Sequence, residues 1–417
     1  VPLTDAIDRA AEALARLAPP GPLGVALSGG GDSMALLAAA AGCGGPLRAA
    51  CVDHGLRPES AAEAALAARR AEALGAPADI LCWSGWDRRG NLQAAARAAR
   101  YELLADWAAR HGLVAVALGH TLDDQAETVL LRLLRGSGVD GLSGMAAATR
   151  RDGVLWLRPM LSIRRDALRM ALSARGIAWI DDPSNDDAAF DRVRARRALA
   201  SLRDLGIAAE GLAATGARMG RARAALEAQT AALARESVRV DALGAARLAR
   251  SALQAAPDEI ALRLLAAVLA EVTGAPLRPR LVALEALLGA ARGGGLGRGR
   301  TLHGAVAADD GEMVSICREP AAAAAAPDLD PWDGRWRILS RAPGSVGALG
   351  AAGERALASA RRAGWRPAAA WIASPRAARL ASPALWRDGA LVCAPLAGYG
   401  EGLVVAPARQ APAVFIE

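Results

Sequence analysis

From Leu23 to about Trp179, short apolar runs alternate with stretches in which apolar positions recur at helical spacing. Leu23–Leu27 (LGVAL), Arg48–Val52 (RAACV) and Val114–Leu118 (VAVAL) predict buried strands, and Ser60–Leu74 and Asn91–Arg110 carry the helical period between them. Such alternation implies a parallel sheet covered on both faces, with ligands at the carboxyl ends of its strands. The loops after Leu27, Val52 and Leu118 are therefore where function is expected. From Ala208 to Gly293 the pattern is helical throughout, with Pro257 just before one helix and Pro276 just after it. Gly293–Arg300 (GGGLGRGR) reads as a break, Thr301–Glu319 as a strand pair turning at Asp310-Gly311, and Ala321–Pro327 as a linker. The remainder, Trp332–Glu417, predicts a small α+β domain with a helix near Glu354–Ala363 and a hairpin at Arg387-Asp388-Gly389. The expected division is thus an α/β parallel-sheet domain at 1–205, a helical subdomain at 206–300 and a small α+β domain at 301–417.

Composition narrows the chemistry. At 53% apolar and 22% charged the chain can bury sizeable cores, built mainly from Ala, Leu and Val because only two Tyr and two Phe accompany ten Trp. The formal charge is +7, and no lysine occurs anywhere, so every basic side chain other than histidine is arginine. That excludes Schiff-base chemistry, the GK[ST] phosphate loop and a Ser-Lys dyad. Permanently charged guanidinium groups favour phosphate-bearing partners. The five cysteines (Cys43, Cys51, Cys82, Cys317, Cys393) are scattered and never spaced as CxxC, which reads as reduced, intracellular and metal-free. Apolar runs are interrupted by Arg or Asp short of membrane-spanning length, so a cytoplasmic protein is expected.

Two segments concentrate unusual residues. Ser28-Gly29-Gly30-Gly31-Asp32-Ser33 follows the first strand and opens a helix; its glycines and the helix N-terminus suit an anion. Asp32 would repel a bare phosphate but is intelligible as a ligand to Mg2+ bridging to phosphates. The plain reading is a glycine turn whose Ser and Asp cap the helix. A dinucleotide fold is a rival because Asp53 closes the next strand, although Met34 breaks the G-x-G-x-x-G pattern. The second segment, Gly119–Thr128, holds His120, Asp123, Asp124 and Glu127 at another strand's carboxyl end. Thr121 with Asp124 fits a capping box, which accounts for one carboxylate but not for three and an imidazole. Such a cluster suits a divalent metal or an ammonium group. Arg97 and Arg100 lie three apart on one predicted helix, and Arg192, Arg194, Arg196 and Arg197 follow Asp181–Asn185. Arginine runs usually form a solvated face; beside a nucleotide site they favour nucleic acid.

Ser-Gly-Gly-x-Asp-Ser after the first strand resembles the PP-loop of the N-type ATP pyrophosphatases. Val52–Pro58, Ala96–Tyr101, Gly119–Thr128, Leu134–Gly138, Arg158–Leu161 and Asp182–Asn185 resemble the signature of one family among them, the tRNA(Ile)-lysidine synthetases, over residues 23–197. One departure is that the family's Arg-Asn pair is here Arg192-Val193, so the contact of that Asn is lost or carried by Arg194 or Arg196.

The resemblance implies an enzyme that uses ATP and Mg2+ to attach free L-lysine to C2 of cytidine 34 in the AUA-reading tRNA(Ile), whose anticodon is CAU. An adenylated cytidine would be the intermediate, with pyrophosphate and AMP released. It further implies Ser28–Ser33, Asp53 and His54 at the nucleotide, with Mg2+ near Asp32. Asp124 would act on the lysine amine with Asp123, Glu127 and His120 beside it. Arg100 would stabilise transferring phosphate, and Arg97, Arg192, Arg194 and Arg196 would hold tRNA or adenylate. Oligomeric state is left open, a homodimer being compatible. A tRNA 2-thiolase is the nearest alternative, for which the CxxC of cysteine-dependent members is missing. A catalytically dead tRNA-binding module is another, opposed by the intact Ser28, Asp32, Asp123, Asp124 and Glu127.

Overall fold

The computed structural model describes residues 5–55, 58–86, 91–180, 191–275 and 279–408, and the chain divides into two compact units, Val1–Arg223 and Ala224–Glu417. The first unit opens with α1 (Ala6–Leu17), begun by a capping box between Asp5 and Asp8, and continues through β1 (Leu23–Leu27), α2 (Gly31–Gly42) and β2 (Leu47–Asp53). It runs on through α3 (Ser60–Ala73), β3 (Ala78–Cys82), α4 (Leu92–Arg110), β4 (Ala115–Leu118), α5 (Leu122–Leu134), α6 (Val139–Leu142), β5 (Ala148–Arg151), β6 (Val154–Leu157), α7 (Arg165–Ala174) and α8 (Asp191–Leu202). α9 (Ala209–Ser237) starts in this unit and ends in the second.

Among the described residues the first unit's sheet has the order β3-β2-β1-β4-β6-β5, with every neighbouring pair parallel except β5 and β6. Its central strands are buried on both faces, as their unbroken apolar runs require. Successive side chains point to opposite layers: Val25, Leu27, Ala49, Cys51, Ala115 and Ala117 join a core with α1, α2, α3 and α7, whereas Ala26, Ala50, Val116 and Leu118 join one with Leu104 and Trp107 of α4. β1 leads outward to β2 and β3, while β4 leads the opposite way to β6. The strand order therefore reverses between β1 and β4, and the crevice beyond their carboxyl ends is where such sheets bind ligands.

The second unit departs from an all-helical reading of Ala208–Gly293. After α9 come β7 (Val238–Val240), β8 (Ala246–Ala249), α10 (Arg250–Ala255), α11 (Asp258–Thr273) and α12 (Leu281–Gly293). β9 (Arg300–Leu302), β10 (Ala305–Asp310) and β11 (Met313–Arg318) follow, and the described sheet has the order β7-β8-β11-β10-β9. It takes strands from both sides of the boundary expected at residue 300. Ala246–Ala249 is a weak strand former by composition; its state comes from pairing with β11, Ala246 opposite Ile316. The turn expected at Asp310-Gly311 is present, with Asp310 opposite Met313. The first half of the expected linker is helical, in α13 (Pro320–Ala324), which starts one residue before it with Pro320 in the first turn. β12 (Trp336–Arg341), β13 (Ser345–Ala348), α14 (Gly350–Arg362), α15 (Ala369–Ala373), α16 (Arg376–Leu380), β14 (Pro383–Arg387), β15 (Ala390–Cys393) and β16 (Leu403–Pro407) complete the unit. Asp388 and Gly389, both at positive φ, turn the expected β14–β15 hairpin. Pro257 stands at the N-cap of α11 as expected; Pro276 lies outside the described residues. No helix among the described residues is long and apolar enough to cross a membrane.

Candidate active site

Ser28, Gly29 and Gly30 alone turn the chain from β1 into α2. Gly29 has φ +79°, and a Cβ there would lie 2.8 Å from Ile180 Cδ1 and 3.1 Å from Ala67 Cβ, so both conformation and space demand glycine. The Ser33 hydroxyl donates to the Gly30 carbonyl at 2.9 Å and accepts from the Ser28 amide at 3.2 Å. No side chain caps α2 at Gly30. Its first-turn amides and positive dipole end are thereby presented to an anion.

The neighbouring loop, from β4 into α5, is pressed against this turn. A Cβ on Gly119 would come within 3.2 Å of the Asp32 carbonyl and Ser33 Cα. Thr121 then caps α5. The Thr121 amide and hydroxyl each donate to Asp124 Oδ2 at 2.8 Å, and the Asp124 amide reaches back to the Thr121 hydroxyl at 3.4 Å. Capping engages one Asp124 oxygen and leaves Oδ1 for other work.

That oxygen meets Arg165, the first residue of α7. The Arg165 guanidinium donates through Nε to Asp32 Oδ2 at 2.8 Å and lies 3.2 Å from Asp124 Oδ1 and 3.9 Å from Glu127 Oε1. Its amide donates to Asp123 Oδ2 at 2.8 Å, while the other Asp123 oxygen lies 3.2 Å from Arg164 Nε. Asp123 thus holds the start of α7, and Asp32, Asp124 and Glu127 gather round one cation. Arg196, on α8, donates to Glu127 Oε1 at 3.0 Å.

The carboxylates are not electrostatically alike. Burial pushes the Asp32 carboxyl up against the opposing pull of Arg165, and Asp124 adds to the rise. Burial followed by the Asp124 charge also pushes Glu127 up, over the opposition of Arg196 and Arg165. For Asp124, burial acts upward but is overruled by Arg165, the Thr121 hydrogen bonds and His120, so it lies below the usual range. Burial likewise opposes the Arg165 charge, and Asp124 and Asp32 overrule it and raise its pKa. Two buried oxygens, Asp32 Oδ1 and Glu127 Oε2, have no hydrogen-bond partner. An unpartnered carboxylate oxygen beside an anion cradle fits Mg2+, which favours one or two carboxylates completed by substrate phosphates and water. Among the described residues no group of three or more His, Cys, Asp or Glu side chains forms a metal cage.

The sequence-predicted residues fall into two groups and a remainder. Ser28–Ser33, His120, Asp123, Asp124, Glu127 and Arg196 converge on the β1–β4 crevice. Asp53, His54 and Arg100 gather at the carboxyl end of β2. The Ser60 hydroxyl and Gly55 amide hold Asp53 low, and burial and Arg100 depress His54. Burial lowers the Arg100 pKa, with Cys51 and Tyr101 opposing. Arg97 lies over the Tyr101 ring at 5.5 Å, and exposed Arg194 pairs with Asp191. The Arg192 side chain, the block Asp182–Asn185, and Leu56 and Arg57 lie outside the described residues.

The sequence pattern singled out the segment that Gly119 opens but not Arg164 or Arg165. A signal for the arginines existed. Two adjacent cations opening a helix oppose its dipole, which marks a helix start that carboxylates from elsewhere must satisfy.

A family model described as a PP-loop domain matches residues 3–202. The chain is 46% identical over 394 residues to the tRNA(Ile)-lysidine synthase of Ruegeria pomeroyi, spanning 92% of this chain and 90% of that protein. It is 44% identical over 308 residues to the synthase of that name from Methylobacterium nodulans, spanning 71% and 90% respectively. Against that of Rhizobium meliloti it is 38% identical over 354 residues, spanning 79% and 75%.

Proposed function

The chain belongs to the tRNA(Ile)-lysidine synthase family of ATP-dependent ligases, and from that premise we propose how its residues divide the joining of L-lysine to the wobble cytidine. The substrates are ATP, free lysine and tRNA(Ile) with a CAU anticodon. The C2 oxygen of cytidine 34 forms a bond to the α-phosphorus as the bond to pyrophosphate breaks. The lysine ε-nitrogen then bonds to C2, the C2–O bond breaks, and the oxygen departs with AMP.

The Ser28–Ser33 turn binds the triphosphate through backbone amides, and Asp32 would hold Mg2+. Bound Mg2+ would offset phosphate charge and ease departure of pyrophosphate. Arg100, with Asp53 and His54, contacts the nucleotide; Arg97, Arg192 and Arg194 contact tRNA phosphates, and Arg196 the adenylate.

Among the acids the geometry favours a finer assignment than sequence alone. Asp124, held below the usual range and committed to Thr121 and Arg165, is a fixed anion that attracts the ammonium group. Glu127 has the unpartnered oxygen and the raised pKa, which suit a proton acceptor for an amine that must be neutral to attack. Asp123 positions α7 from behind.

The observation that carries this reading is the link between the phosphate turn and the acidic cluster, since Asp32 and Asp124 share one guanidinium. Incubation with labelled lysine, ATP and tRNA transcripts tests it. Label should enter the CAU-anticodon tRNA(Ile), with pyrophosphate release dependent on the tRNA and AMP release dependent on lysine. AMP formation indifferent to lysine, or responding instead to a sulfur donor, would overturn it.

A further inference from the structure

We propose that Arg165 is the positioning residue that sorts the two oppositely charged substrates, holding Asp32 for the triphosphate side and Asp124 with Glu127 for the amine side. The inference rests on the reading above. Three carboxylates converge within 4 Å of one side chain that is 17% exposed, at 2.8 Å, 3.2 Å and 3.9 Å. Without Arg165, Arg196 would still pair with Glu127, but the Asp32 and Asp124 charges would face the turn that must receive a triphosphate with neither the 2.8 Å nor the 3.2 Å guanidinium contact. With it, Asp32 and Asp124 each direct one oxygen to the guanidinium, and Asp32 Oδ1 and Glu127 Oε2 are left without a hydrogen-bond partner. Helix α7 fixes the guanidinium, because the Arg165 amide is tied to Asp123 and α7 packs into the core through Leu168 and Leu172. The division between an anion site and a cation site thus depends on a residue contributed from outside both loops.

A merely structural role and a sorting role differ in sign. Loss of general scaffolding would weaken both substrates together. Loss of Arg165 as a charge divider weakens the anion and spares the cation, since the cluster becomes more negative. In the full-length protein Arg165→Met should weaken ATP–Mg2+ binding, read by calorimetry, by about tenfold or more, with a matching rise in the KM for ATP. The KM for lysine, read from tRNA-dependent AMP release, should stay unchanged or fall. Arg165→Lys should restore most of the ATP affinity, because it returns the charge without the fork. Equal loss for both substrates, no loss for ATP, or failure of Arg165→Lys to rescue would each overturn the proposal. Should Arg165→Met not fold, Arg165→Gln carries the same comparison. Failure of the functional reading itself shows separately, as a parent enzyme whose AMP release ignores lysine.

Discussion

Gly119 and Asp32 meet backbone to backbone: a Cβ on Gly119 would stand 3.2 Å from both the carbonyl carbon and the carbonyl oxygen of Asp32. The two residues belong to different loops, one after β4 and one after β1, and their approach sets the distance between the acidic cluster and the phosphate turn. Neither can retreat cheaply. Ser33, next to Asp32, is pinned to Gly30 and Ser28, and the Leu122 amide beyond Gly119 is bonded to the Ile163 carbonyl at 3.0 Å.

Gly119→Ala should therefore separate the loops by a few tenths of an ångström. The overpacking should cost about 1–3 kcal/mol of stability, read by denaturant unfolding. Activity should suffer more, by about tenfold to a hundredfold in kcat/KM, because small misplacements of reacting groups are disproportionately expensive. A variant with parental turnover would show that the spacing of the two loops is not critical.

Asp124 performs two tasks that substitution can separate. Its Oδ2 is the capping oxygen for Thr121, and its Oδ1 faces Arg165. Asp124→Asn can keep the cap, since an amide oxygen still accepts from the Thr121 amide, but it removes the charge. Stability should fall by about 1–3 kcal/mol, because the new amide nitrogen faces the Arg165 guanidinium in place of a carboxylate oxygen, while lysine-dependent AMP release falls about a hundredfold or more. Thr121→Ala should cost about 1 kcal/mol through the lost cap with a milder loss of turnover. If Asp124→Asn retains full turnover, the residue is a helix cap and nothing else.

Much of the first unit was legible along the chain. β1 coincides with Leu23–Leu27 because an apolar run is cut off by serine and glycine, and α4 begins where Asn91 accepts from the Ala94 amide. The Thr121–Asp124 box and the Asp388-Gly389 turn were equally visible, since each is a contact between near neighbours. Long-range effects were not. Arg165 bonds to Asp32 across 133 positions, and nothing within either segment announces the other. β8 escaped for a related reason: alanine, leucine and arginine favour helix locally, and only the pairing with β11 on one side and β7 on the other makes a strand of Ala246–Ala249.

Glu127 gives a test by pH. Its carboxyl sits above the ordinary value of 4.5, mainly because burial disfavours the charged form and secondarily because Asp124 repels it, and the pairing with Arg196 and Arg165 does not make up the difference. A raised pKa means that the folded protein binds this proton more tightly than the unfolded chain does. Between 4.5 and the raised value stability must fall as pH rises, and above that window the cost of the buried charge is present in full. Glu127→Gln carries no such charge. It should melt at a higher temperature than the parent at pH 8, with the gap closing as pH falls toward 4.5. The same substitution removes the proposed proton acceptor, so lysine-dependent AMP release should fall about a hundredfold even though the fold is firmer. Melting curves that stay parallel across the pH series would mean that Glu127 is ionised as easily in the fold as in water, and the acceptor role would lose its physical basis.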